Sequence, residues 1–220
     1  MERTAIVLGA TGLTGSLLLD SLLCNDHYSK IIVFVRSQFH LSHPKLIIEQ
    51  INLLKLLDYK EHFVGDVLFC CIGTTKAKTP DKNLYRQIDY GIPTNAAKIC
   101  EMNGIPNFIV MSSMGANVKS SVFYSKLKGE MEQAVLNTGI KNIYILRPSL
   151  IAGKRSEFRL FEMIAKMAMK VLNVFLVGSF KKYRSINAKT IANAMIALDL
   201  KGSAVKIIES EDIQKIADNA

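Results

Sequence analysis

No stretch of this 220-residue chain approaches the ~18 consecutive apolar residues that a membrane span requires. Nor does the amino terminus read as a secretory signal, because Gly9, Gly12 and Gly15 interrupt any apolar run too early. The expectation is a cytoplasmic protein with no membrane span. Its four cysteines (Cys24, Cys70, Cys71, Cys100) contain no CxxC pair, and no His/Cys cluster has zinc-ligand spacing. No metal site is predicted. Cys70 and Cys71 sit together on an apolar run, where strand alternation sends them to opposite faces as small core residues in a reducing compartment. Internal repeats, low-complexity tracts and linkers are also absent, so residues 1–220 read as one domain. The net charge is +9, yet the lysines are scattered, with no dense basic run and no interleaved aromatics to stack on bases. Nucleic acid is therefore not the expected partner, and the basic bias suits a phosphorylated cofactor. His27, His40, His43 and His62 fall in loops or at helix ends and read as surface residues.

What is present begins with Gly9-Ala10-Thr11-Gly12-Leu13-Thr14-Gly15. It follows the β-rich run Thr4–Leu8 and precedes leucines 17, 18, 19, 22 and 23 at helix-compatible spacing. A strand, a glycine turn and a helix in that order form a phosphate site. Gly9 permits the turn, Gly12 lets backbone approach a diphosphate, and Gly15 lets the helix pack closely. Free N–H groups at the helix start then face the anion. The spacing is GxxGxxG rather than GxGxxG.

Strand and helix signals alternate to the end of the chain. Strands are predicted at 30–35, 45–48, 66–72, 107–111, 142–146 and 205–208. A long helix follows Pro80 and is interrupted at Pro93, another spans about 121–137, and two more are capped by Asn187 and Ser210. The strands are nearly continuous apolar runs, as in a parallel sheet covered on both faces. The fold class is α/β, a doubly wound parallel sheet with a small C-terminal substrate lobe at about residues 149–185. Within that lobe, apolar residues from Leu160 to Phe175 recur at helical spacing, as a helix packing one face on the domain or as the wall of an apolar pocket.

Tyr124 and Lys128 are four residues apart on a predicted helix and share a face. A free phenol, with pKa near ~10, is too weak an acid for neutral pH, and a neighbouring ammonium moves it toward working range. Ser112 and Ser113 end the preceding strand, at the carboxyl edge where α/β sheets bind ligands. Arg36 ends the second strand, and no Asp or Glu occurs from Lys30 to Ile48. An arginine there favours a 2′-phosphate, so NADP is expected over NAD.

Taken together, GATGLTG at 9–15, FCCIGTT at 69–75, MSSMGA at 111–116, the Tyr124–Lys128 pair and Arg147-Pro148 resemble the short-chain dehydrogenase/reductase superfamily. The likeness is to its atypical or extended-like branch, among the small NAD(P)H-binding oxidoreductases similar to Tat-interacting protein. That resemblance implies a Rossmann fold with Tyr124 as general acid/base, Lys128 on the nicotinamide ribose, and one serine polarising the carbonyl. Ser113 is favoured, with Ser112 the alternative. Cofactor contacts are implied for Gly9, Thr11, Gly12, Leu13 and Arg36. They are implied too for Cys71, Gly73 and Thr74 beside the ribose and diphosphate, and for Pro148 beside the nicotinamide. Asn52 stands where relatives often carry an aspartate that meets the adenine.

The function expected is an NADP-dependent carbonyl reductase acting on a small apolar aldehyde or ketone, as monomer or homodimer. The rival is a dinucleotide-sensing regulator that binds a protein partner without turnover.

Overall fold

The first apolar run forms β1 (Arg3–Leu8), and the glycine turn leads directly into α1 (Leu13–Leu23). The computed structural model describes residues 2–152 and 185–219. After α1 come β2 (Tyr28–Val35), β3 (Leu46–Gln50), a 3-10 segment (Leu53–His62) and β4 (Val67–Cys70). Next are α2 (Lys82–Arg86), a π turn (Gln87–Gly91), α3 (Ile92–Met102), β5 (Asn107–Met111) and α4 (Phe123–Leu136). The described chain closes with β6 (Asn142–Arg147), β7 (Ile151–Ala152), β8 (Ile186–Asn187), α5 (Ala188–Lys201), β9 (Ile207–Glu209) and α6 (Ser210–Asp218).

Seven strands form one parallel sheet in the order β3-β2-β1-β4-β5-β6-β9, and β7 pairs with β8 separately. The first six follow the doubly wound order, whose reversal between β1 and β4 opens a crevice at the carboxyl ends of the strands. The doubly wound parallel sheet read from the sequence is thus the one observed. Parallel register sends alternate residues to two cores. Ile6, Leu8, Ile32, Phe34, Leu68, Cys70, Phe108 and Val110 meet the 3-10 segment, α3 and α4. Val7, Val33, Phe69, Ile109 and Leu146 meet α1, α5 and α6. Cys70 and Cys71 do diverge, the first into one core and the second against the other. Burial pushes the Cys70 thiol up to about 11, which keeps it an unreactive core group.

Several boundaries differ from the sequence reading, each for a physical reason. β4 stops at Cys70 rather than running to residue 72, because its partner β1 ends opposite it at Leu8, where the glycine turn begins. The helix after Pro80 is broken earlier than Pro93. Proline removes an N–H and crowds the preceding turn, and the chain widens into the π turn just before it. Leu84 of α2 is exposed. β9 begins at Ile207 and extends to Glu209, so Glu209 and not Ser210 is the N-cap of α6; the Ser210 hydroxyl bonds that of Ser149. Asn187 does cap α5, accepting from the Lys189 N–H at 2.9 Å. His43 is half-buried, its Nδ1 accepting from the Lys45 N–H, while the other three histidines are exposed. The proposed lobe at 149–185, with its Leu160–Phe175 pattern, lies almost wholly outside the described residues.

Candidate active site

Gly9 has φ +87°, and a Cβ on it would stand 2.8 Å from the Cys71 carbonyl carbon. Its own carbonyl accepts from the Gly12 N–H at 3.0 Å, closing the turn. Gly15 is tighter still, because a Cβ there would lie 2.1 Å from the Gly9 oxygen. The third glycine therefore seats α1 on the turn itself rather than on the strand. Gly12 is the N-cap of α1, with no side-chain cap and no acidic residue in the first turn. The N–H groups of that turn have no intrahelical partner and are open to an anion. Thr11 and Gly12 are exposed and Leu13 half-buried, so the cradle faces outward.

The other positions implied for the cofactor distribute along the same carboxyl edge. Arg36 is exposed directly after β2. Asn52 is exposed too, but its Oδ1 already accepts from the Leu54 N–H at 3.1 Å, which leaves its amide N–H groups as the side chain's free function. The Cys71 N–H donates to the Leu8 carbonyl, and its Sγ packs 3.8 Å from the Met195 sulfur. Gly73 and Thr74 lie beyond β4 in the following loop. Thr74 is held there by three bonds: its N–H donates to Asp89 Oδ2 (2.8 Å), its hydroxyl pairs with that of Thr79, and its carbonyl accepts from the Tyr85 hydroxyl. Pro148 is buried just past β6, its carbonyl accepting from the Met114 N–H.

The serine pair is divided. The Ser112 hydroxyl is buried and donates to Glu132. The Ser113 hydroxyl is sealed from solvent yet has no hydrogen-bond partner among the described residues. On α4, Tyr124 is 38% exposed and packs edge-on against the ring of Tyr85, with centroids 6.4 Å apart. Lys128, one turn on, is 2% exposed and its Nζ lies 2.9 Å from Asp89 Oδ1. Burial alone would pull that ammonium down. The Asp89 carboxylate, with smaller help from Tyr124 and Cys70, more than offsets this and holds it above the ordinary lysine value.

Asp89 was missed in the sequence. The signal was there: Tyr85, Ile92 and Ala96 form a buried stripe, and an acid at 89 falls on it. A carboxylate on a core stripe needs a buried cation, and Lys128 supplies one. Asp89→Asn leaves that ammonium uncompensated, and the expected cost is about 3–5 kcal/mol in denaturant unfolding at neutral pH. The folded-state pKa of Lys128 lies above its unfolded value of 10.5, so its contribution is complete below that value and is lost as pH rises through the folded one. In the variant burial is unopposed and pulls the ammonium below its ordinary value, so the wild-type advantage should be largest at and below neutral pH and shrink steadily as pH rises into the alkaline range; an advantage that grew with rising pH would contradict the pairing.

A glycine cradle on the first β–α turn, at the strand-order reversal of a doubly wound sheet, defines a dinucleotide-binding α/β protein. Residues 9–198 match the NAD(P)H-binding family. The chain is 33% identical over 159 residues to the FMP52 protein of Candida albicans, covering 70% of this chain and 69% of that one. It is 30% identical over 169 residues to HTATIP2 of Rattus norvegicus, covering 75% and 69%. Among solved structures, a putative NAD-dependent epimerase/dehydratase from Bacillus halodurans superposes with TM-score 0.68 at 17% identity, covering 99% of this chain and 100% of that one. The chain belongs to the NAD(P)H-binding family of atypical short-chain dehydrogenases/reductases.

These relatives correct the cytoplasmic expectation, because the FMP52 proteins carry mitochondrial in their names. Free cysteines and the lack of a long apolar run do not separate the two compartments, since mitochondrial targeting segments are amphipathic rather than uniformly apolar. No helix of the described residues is long and apolar enough to cross a membrane.

Proposed function

We propose that the protein is an NADP(H)-dependent carbonyl reductase. The observation that carries this reading is the Ser113 hydroxyl, shielded and unpartnered at the carboxyl end of β5, while Ser112 is engaged elsewhere. Buried hydroxyls without partners are uncommon, and one at the carboxyl edge of the sheet suits an acceptor that arrives with substrate. The residues fit a dinucleotide: Gly9 and Gly15 let backbone pack where side chains would stand, and the exposed turn at Thr11 and Gly12 presents the free N–H groups of α1 to a diphosphate. Arg36 would take the 2′-phosphate, the Asn52 amide would face the adenine, and the Gly73–Thr74 loop and Pro148 would border the ribose and nicotinamide. Lys128 has three donors, of which Asp89 occupies one, so the ammonium can still bond a ribose hydroxyl.

The bound nicotinamide supplies the hydride. The protein orients and protonates. Ser113 Oγ donates to the substrate carbonyl oxygen and polarises it, and the Tyr124 hydroxyl delivers a proton to that oxygen. Lys128, kept charged by Asp89, favours the phenolate left behind. Val122 and Phe123, the exposed apolar side chains that directly precede Tyr124, suit a small apolar aldehyde or ketone.

The test is NADPH oxidation across an aldehyde, ketone and quinone panel. Turnover with at least one class supports the reading; none, with NADPH still bound, supports a dinucleotide sensor. Arg36→Glu removes a charge-assisted contact and sets a carboxylate against the 2′-phosphate. The expected NADPH Kd rises about 10- to 100-fold with little change for NADH. An equal effect on both would remove Arg36 from the phosphate site.

A further inference from the structure

We propose that Glu132 and Arg147 are positioning residues that fix Ser113, the Tyr124–Lys128 pair and Pro148 in one mutual register. The inference rests on the reductase reading above. Glu132 lies on α4 one turn beyond Lys128 and two beyond Tyr124, on the same helix face. It is buried, and its carboxylate takes three donors. Oε1 accepts from the Ser112 hydroxyl and from Arg147 Nε at 2.9 Å; Oε2 accepts from Arg147 Nη2 at 2.6 Å. The third guanidinium nitrogen, Nη1, donates to Glu209 of β9 at 2.9 Å.

The backbone completes the arrangement. Ser112 N–H donates to the Leu146 carbonyl at 2.8 Å, and Met114 N–H donates to the Pro148 carbonyl at 3.0 Å. Ser113 is thus strapped to β6 on both sides while its own hydroxyl stays free. Glu132 then ties that strap to α4. One carboxylate joins the three pieces that must meet at a carbonyl: the serine after β5, the tyrosine and lysine of α4, and the proline after β6.

Stability alone does not account for this choice of residues. A well-packed apolar pair of similar volume is often as stable as a buried ion pair, or more so. A planar fork on a carboxylate fixes distance and angle, which an apolar contact does not. A comparable cluster elsewhere in the fold supplies a control. At the amino edge of the sheet, Asp199 accepts from Arg3, Tyr28 and Asn107 and holds α5 to the first residues of three strands. It touches none of the catalytic positions.

The experiment compares Glu132→Gln, Arg147→Lys and Asp199→Asn with wild type in thermal stability, NADPH affinity, kcat and amide hydrogen exchange without cofactor. All three variants are expected to lose stability. Only the first two should lose kcat, by about 10²-fold as for a small misplacement of reacting groups, with NADPH affinity falling far less than kcat. In Glu132→Gln the amides of 112–114 and of 123–128 should exchange faster together. Wild-type kcat in both, or a kcat loss in Asp199→Asn matching theirs, would overturn the proposal. If wild type reduces no member of the panel, the reductase reading fails, and hydrogen exchange alone decides whether Glu132 couples the two segments. Should Glu132→Gln not fold, Arg147→Lys, which retains the charge but not the fork, carries the same comparison.

Discussion

Tyr124→Phe is expected to bind NADPH as wild type does and to reduce its carbonyl substrate with kcat lower by about 10²- to 10⁴-fold. The substitution removes one oxygen from a side chain that is 38% exposed, at the start of α4, so the fold should be nearly indifferent, within about 0.5 kcal/mol. The ring remains to pack against Tyr85. On the reading proposed above, what is lost is the proton donor, an interaction that strengthens only as charge develops on the substrate oxygen. For that reason kcat and kcat/KM should fall together while KM moves little. Equal rates in wild type and variant would assign the proton to another group or to water.

The second large effect is structural. In Gly15→Ala the new Cβ would stand 2.1 Å from the Gly9 carbonyl oxygen and 2.7 Å from its carbon, with only backbone to displace. No rotamer relieves that contact, so α1 must retreat from the turn or the turn must open. Overpacking of this kind costs about 1–3 kcal/mol and would also spread the N–H groups that face the diphosphate. The expected outcome is a lower melting temperature together with loss of measurable NADPH binding. Gly91→Ala is the internal control, since a Cβ there meets only the Arg86 carbonyl oxygen at 3.9 Å, an ordinary contact. It should melt and bind like wild type. Normal NADPH affinity in Gly15→Ala would mean the cradle is not the diphosphate site.

Much of the frame was legible because it rests on local rules. Apolar runs such as Ile31–Val35 and Phe108–Val110 can be accommodated only where both faces of a strand are covered, and that implies the parallel sheet. The glycine spacing marked the β1–α1 turn for the same reason: backbone lies where a side chain would be. What escaped depends on contacts across the fold. Asp89 falls on the apolar stripe of its helix, but only the reach of Lys128 from α4 shows what cation answers it. Glu132 looks like an ordinary surface glutamate until Arg147 is seen to reach it from β6. The choice between Ser112 and Ser113 needs the whereabouts of Glu132, twenty residues away. Strand ends failed where the neighbour strand, not the residue, decides the last pair, as at Cys70. Compartment is not a property of the fold, and the cysteine pattern could not report it.

The central claim is that a nicotinamide dinucleotide lies along the carboxyl edge of this sheet, with its diphosphate on residues 9–15. Amide hydrogen exchange of the wild-type protein with and without NADPH tests it most directly. Protection is expected at 9–15 and in the loops at 71–75 and 112–114, with none at the amino edge around Arg3, Tyr28 and Asn107. Bound NADPH that left the exchange of residues 9–15 unchanged would contradict it.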